Sequence, residues 1–257
     1  MEKKILVLDV GNTQAKARPV GPAGFLGPEE RVSGHKAFDA GAWTEWLGRA
    51  AAGSGPAVLV FASVVPPADP MIREAAARLG WGALAVPEDL PVPMENRYLK
   101  PWEVGADRLV GSYAARLRFP AEERLIVVDF GTATTFDCIR GDALLGGLIC
   151  PGLLSSACSL HVETAKLPLP TLELSSDHLR IDVGTMESLN QGLLFGAAAQ
   201  VEGLSTRLSE VMGGQAFVAA TGGLAPSVAR VCPAIRAVLP DLMFEGLVAL
   251  YRRRGEV

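Results

Sequence analysis

Short apolar runs and longer segments of helical periodicity alternate along this chain. The most continuous apolar runs cover 5–8, 57–62, 125–128 and 216–220, and each is followed by an acid or a hydroxyl. Such runs are typical of strands buried in a parallel or mixed sheet. The pattern therefore predicts an α/β fold with mixed sheets that are flanked by helices.

Apolar residues at helical spacing predict the flanking helices. These helices cover 42–52, 69–79, 104–118, 153–163, 185–211 and 241–254. Weaker strands are predicted at 14–18, 83–86, 136–139 and 144–150, with short antiparallel strands in the glycine- and proline-rich segment 21–34. Strands cluster at the start of each half and helices follow, which predicts an N-terminal domain, 1–118, and a C-terminal domain, 119–257.

One strand-to-turn motif occurs in each half. Both 5–13 and 125–135 consist of an apolar strand, an acid (Asp9 or Asp129), an apolar residue, glycine and then a hydroxyl side chain close behind. An aspartate at the end of a buried strand needs a partner, and Mg²⁺ bridged to phosphate oxygens is one. An ordinary strand and turn would explain one copy, but two copies favour a duplicated fold with a phosphate site between the halves.

Composition narrows the class of protein. The chain has 257 residues, 49% of them hydrophobic, and a formal net charge of −4, so it can bury a sizeable core and is not a typical nucleic-acid binder. No apolar run reaches the roughly 20 residues of a membrane helix, and the early first strand leaves no room for a signal peptide. Four cysteines without Cys-x-x-Cys spacing indicate reduced core residues, so we expect a cytoplasmic protein.

The segment Val104–Arg108 opens the third predicted helix and places Asp107 in its first turn. One interpretation is that Asp107 only caps the helix and that Arg108 is a surface charge. The other is that Asp107 is a base beside a guanidinium that holds an anionic substrate. Spacing alone favours the cap.

A further apolar strand, 216–220, ends in Thr221, Gly222 and Gly223. A glycine pair in this position suits an adenosine that lies over it, although it is also common in turns.

Taken together, these motifs resemble those of the type III pantothenate kinases, which belong to the superfamily of acetate kinase, sugar kinases, heat-shock chaperones and actin. The similarity covers essentially the whole chain, and the Gly-Ala-Asp-Arg motif at 105–108 distinguishes this kinase type from the rest of the superfamily. The matching segments are 9–13, 104–108, 129–135, 146–152, 164–168 and 221–223.

The resemblance implies two ribonuclease-H-like domains of the actin-like ATPase type, and a homodimer whose active site is completed at the interface. It implies ATP as co-substrate, Mg²⁺, and a monovalent cation, K⁺ or NH₄⁺. The implied reaction transfers the γ-phosphoryl group of ATP to the 4′-hydroxyl of pantothenate, the first step of coenzyme A biosynthesis. No nucleic acid or membrane partner is implied.

The resemblance also implies roles for individual residues. Asp107 accepts the proton of the pantothenate hydroxyl, Asp9 is oriented toward Mg²⁺, and Asp129 holds the monovalent cation. The implied substrate-binding residues are Tyr98, Gly105, Ala106, Asp107, Arg108 and Thr185. The implied ATP-binding residues are Asp9, Val10, Gly11, Asn12, Thr13, Gln14, Ala15, Lys16, Gly131, Thr132, Thr221, Gly222 and Gly223.

The chain departs from the family pattern just before the fifth predicted helix. Members often have Ile-Gly-x-Asn-Thr there, whereas this chain has Ile-Asp-Val-Gly-Thr at 181–185. Thr185 is kept, but Asp182 and Gly184 change the approach to it, so the departure bears on the pantothenate side of the site.

Two other functions compete with pantothenate phosphorylation. Another kinase of the superfamily, with a different small-molecule acceptor, would share both phosphate loops. This hypothesis does not explain the motif at 104–108. A non-catalytic accessory or regulatory protein that binds nucleotide would be favoured by loss of Asp107 or Asp129, and both residues are present.

Overall fold

A computed structural model describes residues 4–51, 53 and 55–254 of the chain. By its internal contacts the chain divides into two compact units. The first unit comprises the residues up to 94, 100–114 and those from 242 onward, and the second comprises 95–99 and 115–241. The last helix of the chain therefore belongs to the first unit.

Twelve strands and seven α-helices form the described parts of both units. The strands are β1 (Ile5–Val10), β2 (Gln14–Gly21), β3 (Gly24–Phe25), β4 (Glu30–Ser33), β5 (Val58–Ser63), β6 (Gly82–Val86), β7 (Glu95–Asn96), β8 (Arg124–Phe130), β9 (Ala133–Arg140), β10 (Ala143–Pro151), β11 (Phe217–Thr221) and β12 (Ala237–Val238). The helices are α1 (Ala40–Ala50), α2 (Asp69–Arg78), α3 (Ala106–Arg118), α4 (Leu153–Glu163), α5 (Thr185–Val211), α6 (Ala225–Ala229) and α7 (Leu242–Arg253).

The first unit has a mixed sheet with strand order β3-β2-β1-β5-β6, and β4 also pairs with β2. Its central strand, β1, is antiparallel to β2 and parallel to β5. Side chains alternate between the two faces of a strand. Leu6 and Leu8 pack in the same core as helices α1 and α2, whereas Ile5 and Val7 pack with residues of α3 and α7. By this alternation, Asp9 lies on the face that α3 covers.

Helix α7 packs closely against α3 in the first unit. A Cβ added to Gly246 of α7 would lie 2.6 Å from Cγ1 and 2.9 Å from the carbonyl oxygen of Val110. Only glycine permits this approach, because a real Cβ is essentially never found so close to another heavy atom. The contact fixes the helix whose first turn carries Asp107.

The second unit repeats the arrangement of the first. Its sheet has the order β12-β11-β8-β9-β10-β7, and its central strand, β8, is antiparallel to β9 and parallel to β11. Residues of α4, α5 and α6 pack in one core with Ile126 and Val128. A central strand with an antiparallel hairpin partner on one side and a parallel strand on the other thus occurs in both units. The predicted duplicated α/β fold with mixed sheets is confirmed.

Most predicted elements are confirmed, with ends that differ by a few residues. The first predicted helix, 42–52, corresponds to α1, which begins at Ala40, and its predicted end at Ala52 lies outside the described residues. Helix α6 and the two-residue strands β7 and β12 were missed because they are too short to show periodicity. No helix in the described part of the chain has both the length and the apolar character needed to cross a membrane.

Candidate active site

The turn between β1 and β2 forms the predicted first phosphate loop. The Gly11 amide donates a hydrogen bond to the Gln14 carbonyl, 3.0 Å away, and a Cβ on Gly11 would lie 3.2 Å from that oxygen. Asn12 and Thr13 are exposed at the tip of the turn. The loop therefore presents main-chain groups and short polar side chains, as an anion site requires.

Only part of this loop can reach a ligand through side chains. Val10 and Ala15 are buried in the core that underlies the sheet, so they can offer a nucleotide only main-chain groups. Lys16 stands directly opposite Asp9 in the antiparallel pair of β1 and β2, and both are half-buried. Opposite charges in this cross-strand position stabilise each other. The register thus places Lys16 opposite the aspartate that the resemblance assigns to Mg²⁺.

The predicted base, Asp107, lies in the first turn of α3. Its Oδ1 accepts a hydrogen bond from the Arg108 amide at 2.8 Å. Burial raises the pKa of Asp107 above its ordinary value, while the hydrogen bond from that amide and the charge of Arg108 act in the opposite direction. A raised pKa makes the carboxylate a stronger proton acceptor than an exposed aspartate. This goes beyond what a simple helix cap requires.

Gly105 leaves room for the Asp107 carboxylate. A Cβ on Gly105 would overlap Oδ1 of Asp107 and would lie 3.2 Å from Cγ1 of Val64. Ala106, by contrast, is buried in the core that α3 shares with the sheet, so its side chain does not face a substrate. Gly105 and Asp107 therefore form one packed unit at the start of α3.

We expect Gly105→Ala to lower kcat by about 100-fold, because the new methyl group forces the Asp107 carboxylate to rotate away from its position. Thermal unfolding should change little, since the displaced atom is the end of a side chain rather than backbone. Steady-state kinetics and a melting curve measure the two effects. A variant with undiminished kcat would show that the position of the Asp107 carboxylate is unimportant.

In the second unit, Asp129 and Gly222 are brought into contact. Gly222 has φ +91°, and a Cβ there would lie 2.5 Å from Oδ1 of Asp129 and 2.6 Å from the Phe130 carbonyl oxygen. A side chain at position 222 would therefore collide with both oxygens, so only glycine permits this close approach. The sequence-predicted cation ligand and the sequence-predicted adenosine motif are neighbours in the fold.

The second phosphate loop follows Asp129, and its Thr132 is held by the N-terminus of α4. A Cβ on Gly152, which precedes α4, would overlap the Thr132 carbonyl group and lie 3.0 Å from the Gly131 carbonyl oxygen. The Ser155 hydroxyl donates to the same Thr132 carbonyl at 2.8 Å. Gly152 and Ser155 were absent from the predicted site, although the sequence signal, a Pro-Gly pair before a helix, was visible.

Thr221 and Gly223 differ in what they offer a ligand. The Thr221 hydroxyl donates to the Leu239 carbonyl at 2.7 Å and so ties β11 to the segment after β12. Gly223 is exposed, and a Cβ there would meet nothing within 4 Å. Gly223 thus offers open backbone to a ligand, whereas Gly222 is half-buried against Asp129 and Phe130, and the Thr221 side chain has a structural hydrogen bond.

Two residues predicted for the pantothenate side lie in different parts of the second unit. The Tyr98 amide donates to Oδ1 of Asn96, and the Tyr98 ring lies 3.8 Å from where a Cβ on Gly146 would stand. Thr185 begins α5 and is exposed.

The departure at 181–185 has a structural explanation. Gln191 of α5 donates from Nε2 to Oδ2 of Asp182 at 2.7 Å, and its Oε1 accepts from the Arg180 amide at 2.8 Å. The Asp182 carboxylate therefore anchors the segment to α5. Ile181 and Val183, on either side of it, are fully exposed.

Comparison with known proteins identifies the family. The family model for type III pantothenate kinase matches residues 5–207, which include both acid-ended strands and the segment 104–108. The chain belongs to the type III pantothenate kinase family. The predicted resemblance is therefore confirmed, although the Gly222–Gly223 pair lies beyond the part that the model matches.

Relatives extend the similarity to the whole chain. The type III pantothenate kinase of Nitratidesulfovibrio vulgaris (strain Miyazaki F) is 45% identical over 264 residues, and the alignment covers 99% of each chain. The type III pantothenate kinase of strain DP4 is 54% identical over 193 residues, which are 75% of this chain and 74% of the relative.

Solved structures with low sequence identity share the fold. A conserved Baf family protein from Campylobacter jejuni superposes with a TM-score of 0.63 at 17% identity and covers 98% of this chain and 100% of its own. A ROK family protein from Streptococcus pneumoniae gives 0.53 at 14% identity and covers 99% and 100%. These likenesses confirm the actin-like α/β fold.

Proposed function

We propose that this protein transfers the γ-phosphoryl group of ATP to the 4′-hydroxyl of pantothenate, the first step of coenzyme A biosynthesis. Membership of the type III pantothenate kinase family carries the proposal. The half-buried Asp107, with its raised pKa, supports it from the structure, because phosphorylation of an alcohol is helped by a base that accepts the hydroxyl proton. The cytoplasm, where coenzyme A precursors and ATP meet, is the proposed location.

Asp107 and Arg108 have distinct proposed roles on the acceptor side. Asp107 accepts the proton of the 4′-hydroxyl at its carboxylate late in the transfer. Arg108 binds the pantothenate carboxylate, for which a guanidinium is a suitable partner. Gly105 provides the space that this arrangement needs. Tyr98 and Thr185 are proposed as further contacts to pantothenate, and Ala106 contributes main chain only.

The two phosphate loops have the proposed role of holding ATP in line with the acceptor. Phosphoryl transfer depends mainly on positioning and on charge stabilisation, which main-chain amides and cations supply. In the first unit these groups are the 11–13 turn and Lys16, and in the second they are Gly131 and Thr132. The exposed Gly223, next to the half-buried Gly222, offers backbone that suits the adenosine.

The donor set fits the two proposed cations differently. The Asp129 carboxylate and the Phe130 carbonyl both lie against Gly222, and oxygens of this kind suit K⁺ or NH₄⁺. For Mg²⁺, the described residues include no group of three or more His, Cys, Asp or Glu side chains that could hold a metal. A single carboxylate such as Asp9 is nevertheless sufficient, because Mg²⁺ retains waters and binds mainly to ATP phosphates. When bound, the cations neutralise charge that develops on the phosphates.

An ADP-release assay tests the function and the monovalent cation together. With ATP, Mg²⁺ and K⁺, ADP release should depend on pantothenate, and NH₄⁺ should replace K⁺ whereas Na⁺ should lower the rate. Indifference to the swap of K⁺ for Na⁺ would remove Asp129 from its proposed role. No pantothenate-dependent release from the folded protein would favour an accessory protein or a kinase with another acceptor, and a panel of small alcohols would separate these two.

We also propose that the protein acts as a homodimer, with the active site completed at the interface between copies. Large apolar side chains are exposed along one stretch of the second unit, where a second copy would remove them from water. They are Ile149, Leu154, Leu160, Val162, Leu169, Leu179, Ile181 and Val183.

Val162→Lys should shift the mass in solution from twice the 27.0 kDa of one chain toward that of the single chain, because a lysine would have to be desolvated at the interface. Val162 lies near the end of α4 and is 75% exposed. Val211→Lys is the control, since Val211 is 85% exposed and ends α5 outside this stretch. Light scattering that shows a single-chain mass for the unaltered protein would contradict the dimer.

A further inference from the structure

The buried residue His35 forms a hydrogen bond with the main chain of the first phosphate loop. Strand β4 ends at Ser33, and Gly34, with φ +75°, turns the chain so that the 3₁₀ helix His35–Ala37 follows. Nε2 of His35 then lies 2.9 Å from the carbonyl oxygen of Gly11. A carbonyl oxygen can only accept, so Nε2 carries the proton and donates. The His35 residue is 1% exposed, whereas Gly11 is half-buried, so the hydrogen bond is partly shielded from water.

The surroundings of His35 keep its ring neutral and fixed in orientation. The ring meets Trp43 edge-on at a centroid distance of 6.0 Å, and Phe38 packs on the same tryptophan. Nδ1 is buried and has no hydrogen-bond partner within the described chain. Burial lowers the pKa of His35, the bond to Gly11 acts in the opposite direction, and the charge of Lys36 lowers it further. A lone donor on a neutral ring is thus directed at a single carbonyl.

The Gly11 carbonyl is important because its orientation is coupled to that of the loop amides. The peptide group is planar, so holding the carbonyl of Gly11 toward the core turns the amide of Asn12 the opposite way. The neighbouring Lys36 donates from Nζ to Oδ1 of Asn12 at 3.1 Å, on the exposed side of the same turn. The segment 34–36 therefore contacts the turn at two points: the His35 contact is partly buried, and the Lys36 contact is exposed.

We propose that His35 is a positioning residue for the kinase reaction: through the Gly11 carbonyl it holds the first phosphate loop in the conformation that binds the ATP phosphates. The proposal rests on the proposed function. His35 should therefore affect the binding of ATP and not that of pantothenate, because it acts through the 11–13 turn, which is assigned to ATP.

Two variants separate the hydrogen bond from packing. His35→Phe keeps an aromatic ring against Trp43 but removes the donor, whereas His35→Gln removes the ring but keeps an amide donor of similar reach. We expect the KM for ATP to rise about tenfold in His35→Phe, because a buried carbonyl loses its donor. In His35→Gln it should stay within about threefold of the original value, and the KM for pantothenate should change little in either. Lys36→Met is the exposed control and should have a small effect.

If His35 only stabilised the fold, the KM for ATP in the two variants would follow their melting temperatures. The melting temperature should follow ring packing, so His35→Gln should melt lower than His35→Phe even though it binds ATP better. If the KM for ATP follows the melting temperature instead, or rises in parallel with the KM for pantothenate, the proposal is wrong. Calorimetric titration with a non-hydrolysable ATP analogue and Mg²⁺ repeats the comparison without pantothenate, so it remains decisive if the protein proves to use another acceptor.

The unaltered protein provides an independent test that does not depend on variants folding. The chain has only three histidines, and His161 and His178 are exposed. In ¹⁵N-imidazole spectra, we expect the His35 signal to be that of a neutral ring with its proton on Nε2. The His35 signal should shift on addition of the ATP analogue with Mg²⁺ and not on addition of pantothenate. A proton on Nδ1, a charged ring at neutral pH or no response to nucleotide would overturn the proposal.

Discussion

Asp107→Asn is expected to lower kcat by about 100- to 10,000-fold, the range that loss of a general base produces. The amide is nearly isosteric and can still accept the hydrogen bond from the Arg108 amide, so α3 should keep its first turn. It has no basic oxygen that can take the hydroxyl proton. The measurement is single-turnover phosphorylation at saturating ATP and pantothenate, and a kcat within tenfold of the unaltered protein would exclude Asp107 as the base.

The same variant should be at least as stable as the original protein near neutral pH. The pKa of Asp107 is raised in the folded state, so the folded state binds more protons than the unfolded state between the ordinary value of 3.8 and the raised value. The free energy of unfolding therefore falls as pH rises through that window, and above it the buried charge is a constant cost. Asparagine removes the charge and with it this pH dependence.

Asp69→Asn is the matched control for Asp107→Asn. Asp69 lies in the first turn of α2, and burial also raises its pKa, while the hydrogen bond from Ser63 acts in the opposite direction. The substitution and the direction of the pKa shift are the same, but Asp69 has no proposed contact with substrate. We expect the kcat of Asp69→Asn to stay within about threefold of the original value. A loss of kcat that is confined to Asp107→Asn would then be due to the missing proton acceptor and not to a structural effect of asparagine in the first turn of a helix. Equal losses in both variants would point to a structural cause.

The acid limb of the activity profile should reflect the raised pKa of Asp107. The carboxylate accepts a proton only when ionised, so kcat/KM for pantothenate should fall as pH drops through the folded-state value. That value lies above the ordinary pKa of an aspartate. The pH profile of the unaltered enzyme measures it, and an acid limb at the ordinary value would contradict the burial of Asp107 in the working enzyme.

The sequence predicted the two acid-ended strands, because a run of apolar residues ending in aspartate and glycine needs only local information. It also placed Asp107 in the first turn of a helix, but favoured a cap on spacing alone. The raised pKa of Asp107 depends on burial, and burial is set by how distant segments pack together. Around this helix start, Val64 lies against Gly105, and α7 packs on α3 through Gly246. No periodicity in the segment 104–118 contains that information.

Other misses have the same physical origin. The cysteines were predicted to be core residues, yet Cys158 is exposed. It lies in α4, whose exposed apolar side chains blur the contrast between the buried and exposed sides of the helix. Thr221 stays predicted to bind ATP as part of its motif, but the bond of its hydroxyl to Leu239 was not foreseen, because it requires the return of a distant two-residue strand. Close backbone contacts such as that of Gly152 with Thr132 also involve segments that only the fold brings together.

Gly152→Ala is expected to impair phosphate binding and stability together. A Cβ at this position would overlap the Thr132 carbonyl, so either the second phosphate loop or the start of α4 must move. Backbone cannot rotate away as a carboxylate can, and overpacking of this kind costs about 1–3 kcal/mol of folding free energy. Because the collision is with the loop itself, we also expect the KM for ATP to rise at least about tenfold, which kinetics at saturating pantothenate would measure.

Gly48→Ala is the control that separates this collision from the substitution itself. Gly48 lies exposed within α1, where a Cβ would make an ordinary contact of 3.7 Å with Leu79, so alanine should stabilise the helix by up to about 1 kcal/mol. ATP kinetics should be unchanged. The structure predicts different effects for the two glycine variants. Gly152→Ala displaces backbone, so it should lower stability and ATP affinity. Gly105→Ala displaces a side chain, so it should lower turnover. A Gly152→Ala protein with normal ATP affinity would mean that α4 does not hold the second phosphate loop.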